Sequence, residues 1–165
     1  MSAPDIRPIE GSVAPAGSNP ARVAIVSGSF GAGHDMAAAA ITQQLDALGI
    51  TSRTWDIVDL LPGRLGRVLR TGYLRQVSAM PATWRWTLDA VSRSERIAEL
   101  ANRALATSEG ACREIVVGRP DMFLCTHPFA AQVLGRMRTR GVLDIPVTTY
   151  LTDMSVHRLW VSRGV

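Results

Sequence analysis

The sequence predicts an α/β protein built on a parallel sheet with helices on both faces, and three observations predict it. Apolar, β-branched runs alternate with helical patterns along most of the chain. A glycine-rich turn joins the first such run directly to an alanine-rich helical pattern, as expected of a first βα unit. The one long departure from alternation, residues 62–117, contains no strand pattern and reads as a helical excursion. At 165 residues the chain is long enough for one respectable core, and it matches one domain.

The elements follow in order. Residues 1–20 are rich in Pro, Ser, Gly and Ala and lack the apolar stretch of a signal peptide, so they read as a disordered leader. "ARVAIVS" (21–27) is a buried strand, and the pattern from 35 to 48 is a helix. "SRTWDIVDL" (52–60) reads as a second strand. Three helices are expected at 63–80, 82–92 and 95–117, the first two separated by Pro81. "PDMFLCT" (120–126) is a strand, 128–141 a helix ended by Gly141, and "IPVTTYLTD" (145–153) a last strand. The chain then reaches "SVHRLWVSRGV" without the helix that normally covers such a sheet, which raises the expectation of a second half, on another chain or lost from this one.

All 18 basic residues are arginine, against 14 acidic residues. Residues 62–96 hold seven arginines against Asp89 and Glu95, more positive charge than the whole chain's +4. A field this local points to an anionic partner. Cys112 and Cys125 lie in neither a metal-type spacing nor a disulfide framework, so they read as two buried thiols in a reducing compartment. No run reaches the roughly 18 apolar residues of a membrane span, so the protein is expected to be soluble or peripheral.

Candidate site residues cluster at the ends of the predicted strands, where ligands bind in open parallel sheets. The loop 28–33 has the spacing G-x-x-G-x-G, neither the dinucleotide G-x-G-x-x-G nor a Walker loop. Gly31 and Gly33 permit positive φ and let a ligand touch the backbone; a tight turn without a ligand is the competing reading. His34 follows at a helix N-terminus, where the dipole favours the neutral imidazole that a general base requires; alternatively it caps the helix. His127, before Pro128, is either a ligand contact at the site rim or a hydrogen-bonded structural histidine. Asp153 either orients or deprotonates a bound ligand's hydroxyl or, with Ser155, caps the next turn, and His157 shares its edge.

On a helical wheel of residues 64–77, Leu65, Val68, Leu69, Tyr73 and Val77 fall on one side and Arg64, Arg67, Arg70 and Arg75 on the other. One reading is a surface helix with its apolar face in the core. The other is contact with an anionic bilayer, favoured by Trp84 and Trp86 shortly after.

Four blocks in this order carry a family resemblance: "GSFGAGHDMAAAAI", "GYLRQVSAMPATWRW", "RPDMFLCTHPFAAQVL" and "IPVTTYLTDMSVHRLWVSRGV". From about residue 22 to 165 the chain resembles the monogalactosyldiacylglycerol synthases and the bacterial diacylglycerol glucosyltransferases. The resemblance implies the Rossmann-like N-terminal, acceptor-side half of a GT-B glycosyltransferase. It implies inverting, metal-independent transfer of a hexose from a UDP-sugar to diacylglycerol. No cofactor is implied beyond the UDP-sugar co-substrate. The implied partners are an anionic membrane surface and a C-terminal donor-binding domain or chain, not nucleic acid, and the implied location is cytoplasmic, peripheral on the inner face of the cell membrane. Because the donor site lies mostly in that other half, the resemblance does not fix the hexose and implies inactivity of this chain alone. Plant members have an acidic residue five positions before the loop histidine, where Ser29 stands here, which makes His34 the better candidate base. Arg158 follows His157 where relatives often have proline. Two other readings remain open: a non-catalytic module that binds membrane or a partner chain, and a GT-B enzyme acting on a polyprenyl-linked sugar.

Overall fold

A computed structural model describes residues 21–80, 83, 103–153 and 158–165. Within them four strands form one sheet, β1 (Arg22–Ser27), β2 (Thr51–Asp56), β3 (Met122–Cys125) and β4 (Val147–Thr149), in the order β2-β1-β3-β4. Every pairing is parallel, with Val26 opposite Trp55 on one side and Cys125 on the other. The fold is therefore the expected α/β, Rossmann-like one. The chain leaves β1 toward β2 in one direction and β3 toward β4 in the other. The switch point falls between the carboxyl ends of β1 and β3, where loops diverge and leave a crevice.

The helices are α1 (Ala32–Ala47), α2 (Ile57–Leu60), α3 (Leu65–Ala79), α4 (Glu109–Val117) and α5 (Pro128–Thr139), with a 3₁₀ turn at Arg158–Trp160. Strand alternation divides the core. Val23 and Ile25 of β1 pack with Ala38 of α1 on one face, while Ala24 and Val26 join Phe123, Cys125, Cys112 and α5 on the other. Most of α5 is buried, and the segment 162–165 folds against Gly135, where a Cβ would collide with Ser162 and Arg163.

Several boundaries differ from expectation, each for a local reason. β2 ends at Asp56 because the Asp56 carboxylate accepts the Val58 amide at 2.9 Å and so starts α2; residues 57–60 are helix, not strand. The predicted helix 95–117 is broken at Thr107 and Ser108, whose hydroxyls donate to the carbonyls of Ala104 and Leu105, offering the backbone a turn instead of a continuing helix. The last strand shrinks to Val147–Thr149. Residues 84–102, including Trp84 and Trp86, lie outside the described residues, as do residues 1–20, expected to be a disordered leader, and Ser155 and His157.

The wheel drawn for α3 also needs correction. The helix seats itself at Gly66, where any Cβ would strike the Val58 carbonyl, so the buried stripe centres on Gly66 and Tyr73. Val68 is consequently 64% exposed and not part of the core. The outward face carries Arg67, Arg70 and Arg75 interleaved with exposed Val68 and Leu74.

Candidate functional site

The site is built where β1 and β3 end side by side. After Ser27 the backbone passes so close to the His127 ring that a Cβ on Gly28 would lie 2.6 Å from His127 Cγ. The bare backbone of the loop thus approaches a histidine of its own fold, at Gly28. The positive φ expected at Gly31 is absent: its φ is −161°, extended backbone open to any residue. Gly33 lies inside the first turn of α1 with nothing within 4 Å of a Cβ, so it leaves open space. The loop is tied down by Asp56, whose carboxylate accepts the Ser29 amide at 3.3 Å, and by the Phe30 amide, which donates to the Gly28 carbonyl at 2.8 Å. A carboxylate stands against the first of these amides, which makes that end of the loop a poor cradle for a phosphate.

His34 does not cap its helix. The N-cap of α1 is Gly31, with no side-chain cap, and Ser27 donates to Asp35 at 2.9 Å to anchor the first turn. The His34 ring instead reaches across to β3. Its Nδ1 lies 2.8 Å from the Thr126 carbonyl oxygen and 2.7 Å from Thr152 Oγ1. A carbonyl oxygen only accepts, so the neutral ring carries its proton on Nδ1 and its lone pair on Nε2.

Around His34 stands a set of rings. His127, 4% exposed, meets it edge-on with centroids 4.5 Å apart. His127 is itself the N-cap of α5, its Nδ1 accepting the Phe129 amide at 3.2 Å, and it stacks on Phe30 at 4.9 Å. That supports the structural reading of His127 and also places it at the wall of the crevice. Tyr73 of α3 sets its edge against Phe30 at 5.6 Å, and its hydroxyl would lie 3.9 Å from a Cβ on Gly31. Burial, reinforced by the negative charge of Asp153, pushes the Tyr73 phenol above its ordinary range, so it stays a neutral hydroxyl. The exposed Asp153 accepts the indole N–H of buried Trp160 at 2.7 Å, and the Trp160 ring lies 6.1 Å from His34. Asp153 is thus linked to His34 through an indole and is not in direct contact with it.

The fold brings together His34, His127, Asp153 and Gly31 from the predicted set. Arg64, Arg67, Arg70 and Arg75 are all exposed around the same helix that delivers Tyr73. Sequence reasoning missed Gly28, Thr126, Thr152, Trp160 and Asp56. The position of Thr152, next to Asp153 at the end of a strand pattern, was the one available signal for it. Among the described residues, no group of three His, Cys, Asp or Glu side chains is close enough to hold a metal ion, and no helix is long and apolar enough to cross a membrane.

The chain shows no match to the curated proteins or to the solved structures. A family model described as monogalactosyldiacylglycerol (MGDG) synthase does match, over residues 34–165, a span that opens on His34 and contains Thr126, His127, Thr152 and Asp153. With a parallel α/β sheet, a histidine held at its switch point and a family match over most of the sequence, the chain belongs to the MGDG synthase family.

Proposed function

We propose that this chain is the acceptor-side half of an inverting glycosyltransferase that moves a hexose from a UDP-sugar to the free hydroxyl of diacylglycerol. Family membership supports glycosyl transfer in glycolipid synthesis. The observation that carries the mechanism is the His34 ring, whose Nδ1 is committed to Thr126 and Thr152 and whose Nε2 lone pair is therefore available. In the reaction, the acceptor oxygen attacks the anomeric carbon, its proton passes to His34 Nε2, and the bond to UDP breaks with UDP as leaving group. Gly31 and Gly33 leave room for the acceptor at the start of α1. His127, at the wall of the crevice, is a proposed substrate contact, as is His157, and Asp153 holds Trp160 against the site. The Asp56 carboxylate behind the loop argues for a neutral hydroxyl here and against a nucleotide phosphate.

In this reading the donor nucleotide is bound mainly by a C-terminal domain or chain of the same fold, and this chain alone does not transfer sugar. The outward face of α3, with Arg67, Arg70, Arg75, Val68 and Leu74 and with Arg64 at its start, rests on an anionic membrane, and Trp84 and Trp86, which follow in sequence, are proposed to join that contact; this makes the protein peripheral on the inner face of the cell membrane. The test joins the chain to a donor-binding half from its family and follows labelled hexose into diacylglycerol vesicles. Transfer to diacylglycerol is expected. Transfer only to a polyprenyl-linked sugar would replace the acceptor, and micromolar UDP binding by this chain alone would move the donor site into this half.

A further inference from the structure

We infer that Thr152 is the positioning residue of His34, its hydroxyl acting with the Thr126 carbonyl to keep the ring in one orientation and one tautomer. The inference rests on the reading of His34 as the base. Three polar atoms meet at this point: His34 Nδ1, Thr126 O at 2.8 Å from it, and Thr152 Oγ1 at 2.7 Å from it and 3.4 Å from Thr126 O. Only two protons are available to them, because the carbonyl has none. One arrangement satisfies all three. Nδ1–H donates to the carbonyl and is shared with the threonine oxygen, while the threonine hydroxyl donates to the carbonyl. With Nδ1 bare, its lone pair would face the carbonyl oxygen at 2.8 Å, a repulsive contact. A rotation of the ring by half a turn would exchange Nδ1 for a carbon and forfeit both contacts at once.

The arrangement also fits the chemistry. When Nε2 takes the acceptor proton, the ring becomes imidazolium and Nδ1–H becomes a stronger donor, and the two oxygens that already share it stabilise the new charge. A carboxylate serves this purpose in hydrolase triads. Here a carbonyl and a hydroxyl do so without a fixed negative charge. Such an acid is missing from the expected loop position, where Ser29 stands, its amide turned to Asp56. Asp153 accepts from Trp160.

The experiment is a two-bond ¹⁵N–¹H correlation of the imidazoles in this chain, which has three histidines, with His34 assigned by its loss in His34→Gln. The wild type is expected to show His34 as the Nδ1–H tautomer. Thr152→Val, nearly isosteric at a half-buried position, is expected to let the ring turn away from the Thr126 carbonyl and so to add a population of the Nε2–H tautomer, and Thr152→Ser to restore the wild-type pattern. In the chain joined to a donor half, Thr152→Val should lower kcat by about tenfold or less, the effect of one neutral hydrogen bond, with KM unchanged and Thr152→Ser restoring the rate. A His34 pattern unchanged in Thr152→Val, or a wild type already in the Nε2–H form, overturns the inference. The spectrum needs no turnover, so the positioning of His34 is decided separately from its service as base.

Discussion

The two sides of α3 set different physical problems. Its inner side, with Gly66 against the Val58 carbonyl and Tyr73 against Phe30, is packed so closely that a single added methyl at Gly66 would collide with backbone. Its outer side presents Arg67, Arg70 and Arg75 to solvent. The proton transfer proposed for the crevice depends on geometry, and the crevice is packed and hydrogen-bonded accordingly. Attraction to an anionic surface depends on the number of charges within a Debye length, about 10 Å at 0.1 M salt, and tolerates loose side chains. The comparison predicts that substitutions in the crevice act through position and substitutions on the outer face act through charge.

The largest expected effect tests whether the floor of the crevice is closed. Cys125, just before Thr126, and Cys112 of α4 are fully buried. Burial, then the charge of Glu109, raises the Cys112 thiol from 9.0 to about 12, and burial raises Cys125 further. At pH 8 the Cys112 thiolate is thus roughly a thousandfold scarcer than in a free thiol. Labelling of the folded protein with a thiol reagent should be slower by at least that factor than in denaturant. Rapid labelling of either cysteine under native conditions would mean that the site stands on a loose floor.

A smaller effect is expected on the outer face. Replacing Arg67, Arg70 and Arg75 with glutamine should weaken binding to anionic vesicles roughly 10- to 100-fold and flatten its salt dependence, as measured by vesicle sedimentation. Thermal stability should be unaffected, since these side chains are exposed. Unchanged vesicle binding would return α3 to an ordinary surface helix. Smaller again is Gly28→Ala, whose Cβ must displace the His127 ring held between Phe30 and Phe129. It should cost about 1–3 kcal/mol in urea denaturation. Full stability of this variant would show that the His127 ring is not fixed where it stands.

The sheet was legible because β1 and β3 are continuous apolar runs, and a buried parallel strand leaves that mark. The end of β2 was not, because its apolar pattern runs on through Ile57 and Val58 and only the Asp56 side chain turns the chain into a helix. His34 could be named from its place after the glycines, but its partners could not. Thr126 contributes a backbone carbonyl, which any residue type could supply, and Thr152 lies 118 residues away in sequence. The glycines illustrate the same limit: Gly31 and Gly33 attract attention by spacing, while the close approach that demands glycine occurs at Gly28. For α3, periodicity identified a helix with two faces, but the buried stripe was set by one backbone contact at Gly66.

The central claim is that His34 Nε2 takes the acceptor proton, and the most direct measurement is single-turnover hexose transfer to diacylglycerol by His34→Ala and Asp153→Asn in a chain joined to a donor-binding half from its family. His34→Ala is expected to lower the rate about 10²–10⁴-fold with the fold intact. Asp153→Asn, which keeps an oxygen able to accept the Trp160 indole, is expected to cost far less. A His34→Ala enzyme near full rate beside a disabled Asp153→Asn enzyme would contradict the account and make Asp153 the base.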